Sequence, residues 1–141
     1  MNQGHDNAAS QHTIRLRGPC KLLWMRNGTQ HAEVRVHIPC EITPNLYELS
    51  EISADDTFVL RRNFGKPSGL EDSQSVTLEF TGFQGASRVV VNRETETEVA
   101  SEIANEVVSL DLTSSLRMQN RFEVEFGSLP AVVGEVQLVI V

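Results

Sequence analysis

Val76-Thr77-Leu78-Glu79-Phe80-Thr81 alternates apolar and polar side chains without a break and then stops at Gly82. A period of two puts Val76, Leu78 and Phe80 on one face of an extended chain, with Thr77, Glu79 and Thr81 on the other. One face needs a core and the other needs water, as in an antiparallel strand covered on one side. The same period recurs to either side. Ile14 and Leu16 alternate with Thr13, Arg15 and Arg17, and Val34, Val36 and Ile38 with Glu33, Arg35 and His37. Val108, Leu110 and Leu112 repeat it, as do Phe122, Val124 and Phe126, and then Val136, Leu138 and Ile140. Phe58-Val59-Leu60 and Val89-Val90-Val91 are apolar on both faces, which suits strands covered on both sides or central in a sandwich.

Turn chemistry separates these segments. Lys21 to Met25 reads as a strand, and the Asn27-Gly28 pair after it is a hairpin signal, pairing Lys21–Arg26 with Glu33–Ile38. Gly65-Lys66-Pro67-Ser68-Gly69 is a turn between strands. Helical signal is thin: Ser101 to Glu106 has room for one polar turn, and Pro44 to Ile52 reads as a surface connection. The expected architecture is therefore all-β: a β-sandwich, a jelly roll of about eight or nine antiparallel strands. A flexible tail is expected over residues 1–12 and a single domain over 13–141.

The chain has 141 residues, enough for one ordinary core and too few for a catalytic barrel. Twelve basic residues against 19 acidic ones give a net charge of −7, which argues against a nucleic-acid binder. Met1 to His12 is polar, without the apolar stretch of a signal peptide, and no run is long enough for a membrane helix. A cytoplasmic setting, with no membrane partner, is the expectation. In a reducing cytosol Cys20 and Cys40 are expected to be small buried hydrophobes, with a bridge between them as the alternative. His31, His37 and Cys40 lack the second ligand pair of a usual metal site, so no metal and no cofactor is expected. Motifs of serine hydrolases, phosphate loops and zinc proteases are missing, and so is the paired-histidine pattern of enzymatic jelly rolls.

The order of motifs from Phe58 onward resembles the N-terminal sugar-binding domain of glycoside hydrolase family 2, which includes β-galactosidases, β-glucuronidases and β-mannosidases. The carriers are Arg61-Arg62-Asn63-Phe64 with Pro67 and Leu70, then Val76, Leu78, Phe80 and Gly82. Ala86, Val89, Val91 and Asn92 follow, then Asp111-Leu112-Thr113, Leu116, and Asn120 before Phe122-Glu123-Val124. Leu16, Gly18, Trp24 and Ile38-Pro39-Cys40 look like the opening strands, so the likeness runs over roughly residues 14 to 141. It implies a galactose-binding-like jelly roll and a carbohydrate ligand. It departs in Asn92-Arg93, where the family has Asn-Gly, and in Val133-Gly134-Glu135, where a tryptophan is usual. Family members continue past the point matched by Val141 into the barrel that carries the catalytic carboxylates. The resemblance therefore implies a non-catalytic module, with no catalytic residue of its own.

Five residues are candidates for ligand binding: Tyr47, Arg61, Arg62, Asn63 and Asn92. Arg61 and Arg62 adjoin on a strand and so point to opposite faces. Either one of them donates paired hydrogen bonds to a sugar or carboxylate, or each pairs with Glu79, Glu123 or Glu125 on a neighbouring strand. Cross-strand ion pairs are common, which favours the second. Asp111, Thr113 and Asn120 are expected to close turns with their side chains. Glu94, Glu96 and Glu98 are expected on one face of an extended strand, too far apart for one calcium ion and suited to guarding an edge. Trp24 falls among apolar neighbours and is expected in the core, leaving Tyr47 as the one exposed aromatic for a sugar face. The competing function is an interaction or scaffold protein that binds itself or another protein, or serves as subunit of a separately encoded glycosidase.

Overall fold

Each alternating segment forms a strand, and the apolar faces meet between two antiparallel sheets. The computed structural model describes residues 11–42, 52–130 and 132–141. One sheet has four strands in the spatial order β1 (His12–Arg15), β12 (Glu135–Ile140), β6 (Val76–Thr81) and β9 (Val107–Asp111). The other has six: β3 (Thr29–Val36), β2 (Cys20–Arg26), β5 (Thr57–Gly65), β10 (Gln119–Phe126), β7 (Ala86–Val91) and β8 (Val99–Glu102). A small ribbon pairs β11 (Val132–Val133) with β4 (Cys40–Glu41). Among the described residues every element is a strand, and none is a helix long and apolar enough to cross a membrane. Twelve strands exceed the expected eight or nine because β4, β8 and β11 are too short to show a period.

The core is the inward phase of both sheets. Phe58 and Leu60 of β5, Phe122 and Val124 of β10 and Leu78 and Phe80 of β6 are fully buried. The ring of Phe80 meets that of Phe122 edge-on at 5.4 Å, which ties the four-stranded sheet to the six-stranded one. Each such side chain stabilises the fold by about 1.5–3 kcal/mol through area removed from water. The two segments apolar on both faces belong to β5 and β7, inside the larger sheet. Val90, on the outer phase of β7, is as buried as Val89 on the inner one.

Local chemistry accounts for the connections, with three corrections. Asn27 and Gly28 both take positive φ, 54° and 77°, the geometry of a two-residue hairpin turn. Arg26 therefore pairs with Thr29, so β3 starts at Thr29 and not at Glu33. A bulge between Trp24 and Met25 absorbs the slip. Ser101 to Glu106 holds no helical turn: Val99–Glu102 pairs with β7, because the ladder on that side is open and the segment is too short to nucleate a helix. Glu94, Glu96 and Glu98 do not lie on a strand. Asn92 and Glu94 take positive φ, and Thr95 bends the chain by donating through Oγ1 to the Asn92 carbonyl at 2.7 Å. Most of the connection expected over Pro44 to Ile52 lies outside the described residues.

Gly134 marks the tightest backbone approach. A Cβ there would stand 1.9 Å from the Thr81 carbonyl oxygen and 2.7 Å from the Gly82 carbonyl carbon. No side chain fits where β12 starts beside β6.

Candidate functional site

Strand β10 organises the outer face of the six-stranded sheet. Its outward residues are Arg121, Glu123 and Glu125, and the register sets Arg121 opposite Asn63 and Glu123 opposite Arg61 on β5. On its other side Glu123 faces Val90 of β7, and just past β7 comes Arg93. Glu123 is thus bracketed by two guanidinium groups. Arg61 donates from Nε to Oε2 at 2.7 Å, and Arg93 donates from Nε to Oε1 at 2.6 Å. Arg93 also reaches Glu125 with its second arm.

Only 4 % of Glu123 is exposed, and a carboxylate so buried needs partners. Burial pushes its carboxyl up, but the hydrogen bonds and charges of Arg93 and Arg61 outweigh that and hold it below its ordinary value. The cross-strand pair expected for Arg61 is present, with Glu123 as its partner. Arg62 pairs with no carboxylate among the described residues, contrary to expectation. It stands in the inward phase of β5, away from Glu123 and Glu125 on the outer face, and donates from Nε to the Arg17 carbonyl at 2.7 Å.

Around this pair lies an open hollow of about 570 Å³, lined by three parts of the chain. Arg61 and Asn63 come from β5, Asn92 to Thr95 from the β7–β8 connection, and Arg117, Gln119, Asn120, Arg121 and Glu123 from the approach to β10 and its first residues. A neighbouring hollow of about 360 Å³ shares Arg61, Asn63 and Arg121 and adds Pro19, Lys21 and Arg62.

The floor is fixed by two buried asparagines. Asn92 donates from Nδ2 to Asn120 Oδ1 at 3.0 Å and accepts at Oδ1 from the Arg121 N–H at 3.0 Å. Asn120 accepts from the Arg117 N–H at 2.9 Å and donates to the Arg117 carbonyl at 2.8 Å, the turn role expected of it. Positive φ at Asn92 is a conformation that asparagine tolerates better than most residues. Asn92 therefore positions the hollow instead of offering its amide to a ligand.

The donors facing the hollow come from elsewhere. Arg121 donates from Nε to Asn63 Oδ1 at 2.9 Å, which aims its terminal nitrogens. Those nitrogens, and the whole guanidinium of Arg117, have no acceptor among the described residues. Of the five candidates, then, Arg61, Asn63 and Asn92 line the larger hollow, Arg62 joins only the smaller one, and Tyr47 lies outside the described residues. Arg93, Arg117, Gln119 and Arg121 are the lining residues that the sequence reading passed over. The alternation of Arg121, Glu123 and Glu125 was the available signal, but nothing in the sequence says which strand lies beside it.

Other expectations resolve locally. Asp111 accepts from the N–H and the hydroxyl of Thr113, at 2.9 and 2.7 Å, and this closes the turn after β9. Trp24 is buried and donates from Nε1 to Asp56 at 2.8 Å, with Arg26 and the Ser53 N–H on the same carboxylate. Cys20 and Cys40 are free thiols, and burial pushes Cys20 up to about 11. His31 packs edge-on against Trp24 at 4.5 Å between ring centres. Among the described residues no group of three or more His, Cys, Asp or Glu could hold a metal ion.

β-Sandwiches of this fold occur in several glycosidases. No protein-family model matches the chain, and no curated protein matches it in sequence. Solved structures do. A Ruminococcus gnavus β-glucuronidase, in complex with uronic isofagomine, superposes with a TM-score of 0.68 at 15 % identity, over 94 % of this chain and 28 % of that one. A β-glucuronidase from an uncultured Clostridium gives 0.65 at 14 %, over 93 % and 29 %. A β-D-mannosidase from Dictyoglomus thermophilum gives 0.64 at 14 %, over 90 % and 22 %. At such identities the likeness establishes the fold. The chain spans less than a third of each of these enzymes. The resemblance to the family 2 sugar-binding domain, drawn from motif order, agrees with this fold.

Proposed function

We propose that this chain is a non-catalytic carbohydrate-binding module whose ligand lies in the hollow over Arg61, Asn63 and Arg121. The observation that carries the proposal is the lining itself. Polar side chains from three separate parts of the chain converge there on a floor locked by Asn92 and Asn120. Prefixed donors of this kind bind a polar ligand without first having to be ordered. The fold likeness supports a sugar as the ligand class, and the small share of each glycosidase that is matched supports a non-catalytic role. Calorimetric titration with a panel of neutral and acidic oligosaccharides tests it. Saturable heat from at least one member is expected, and no heat from any at millimolar concentration would overturn it. A scaffold protein would instead give no sugar response and a dimeric or higher mass by light scattering.

A further inference from the structure

We infer that the ligand of this hollow is an acidic saccharide, its carboxylate or sulfate held by Arg117 and Arg121; this rests on the carbohydrate reading above. The lining carries four arginines, Arg61, Arg93, Arg117 and Arg121, against two carboxylates, Glu94 and Glu123. Glu123 is fully occupied by Arg61 and Arg93, so its charge is already answered. Arg117 and Arg121 have no carboxylate partner among the described residues, on a protein whose net charge is −7. Acidic residues are plentiful in this chain, and elsewhere on this face of the sheet they pair across strands, as Lys21 does with Glu33. Within the lining itself, four guanidinium groups against two carboxylates leave a net positive charge.

The kind of contact the hollow offers points the same way. A neutral sugar is held by aromatic faces stacked on its ring. None of the described residues lining either hollow is aromatic. Affinity must then come from charge-assisted hydrogen bonds, and a guanidinium matches an oxyanion in a paired, planar geometry. Arg121 is suited to that because its Nε is tethered to Asn63 while its terminal nitrogens have no acceptor among the described residues. Glu94 is the opposing group: it lines the same space, and its negative charge disfavours an anion there.

Calorimetry with four probes separates the outcomes: a uronic-acid oligosaccharide, its neutral carboxyl-reduced counterpart, a sulfated counterpart and inorganic sulfate. The uronic or the sulfated oligosaccharide is expected to bind at least about tenfold more tightly than the neutral one, and the stronger of the two names the anionic group. Binding should weaken as salt screens the charges. The double variant Arg117→Gln/Arg121→Gln should lose about tenfold or more in affinity, while the control Arg15→Gln, on the four-stranded sheet, should not. Glu94→Gln should bind more tightly, a gain that misfolding cannot imitate. Equal binding of the neutral oligosaccharide would overturn the anionic inference and leave the carbohydrate proposal standing. Inorganic sulfate binding as tightly as any saccharide would also overturn it, as a site for a simple anion. No response to any saccharide would overturn both.

Discussion

Replacing Glu123 by glutamine is the sharpest perturbation of the sheet face. The side chain keeps its shape and one acceptor, but two guanidinium groups lose the anion between them. Removing one partner of a fully buried ion pair costs about 3–5 kcal/mol. Here the carboxylate is buried, whereas the side chains of Arg61 and Arg93 are 32 % and 37 % exposed, so water recovers part of their charge. Halving the buried figure gives about 2 kcal/mol. For a domain of this size that is a fall in Tm of about 6 °C.

The pH dependence carries an independent sign. Glu123 is more acidic in the fold than its ordinary value of 4.5, so the unfolded chain binds the proton more readily. Its stabilisation is complete above that value and drains away as pH falls through the lower folded value. Urea denaturation of both proteins from neutral pH down to about 3 is the assay. The gap should be widest near neutrality and close under acid. A variant within about 0.5 kcal/mol of the parent at neutral pH, with an unchanged acid limb, would refute the reasoning.

Gly134→Ala should cost about 3 kcal/mol or more in urea denaturation, because the new methyl meets backbone that cannot give. Gly127→Ala, where a Cβ meets nothing within 4 Å, should change stability by less than about 0.5 kcal/mol. Leu60→Ala, fully buried on an interior strand, should lose about 2–5 kcal/mol; a smaller loss would place it outside the core. In native protein at mildly alkaline pH, iodoacetamide should modify Cys40 well before Cys20, whose thiol is buried and pushed up to about 11. Mass-spectrometric time courses read this directly, and equal rates would contradict the burial of Cys20.

Alternation made the strands of the two main sheets legible because their inner and outer faces meet such different surroundings. Val76 to Phe80 and Phe122 to Phe126 are the clearest cases. What escaped is governed by pairing. The strand at Val99–Glu102 has too few residues to show a period and exists only because β7 offers it an open ladder. The Glu94 to Glu98 stretch alternates like a strand, yet positive φ at Asn92 and Glu94 and the hydroxyl of Thr95 bend it, so that Glu94 and Thr95 line the hollow. Arg61, Asn63 and Asn92 were visible as candidates because they sit in recognisable motifs. Arg117 and Arg121 became part of the same place only through the register that sets Arg121 opposite Asn63. Lateral neighbours in a sheet are far apart in sequence, and no local spacing encodes them.

The central claim is that the hollow over Asn63 and Arg121 binds a carbohydrate. Titrating isotope-labelled protein with a uronic-acid oligosaccharide and following backbone amide resonances tests it most directly. Saturable shifts are expected at Asn63, Arg93, Gln119 and Arg121, with those of the four-stranded sheet unmoved. Shifts confined to another surface, or none at millimolar ligand, would contradict it.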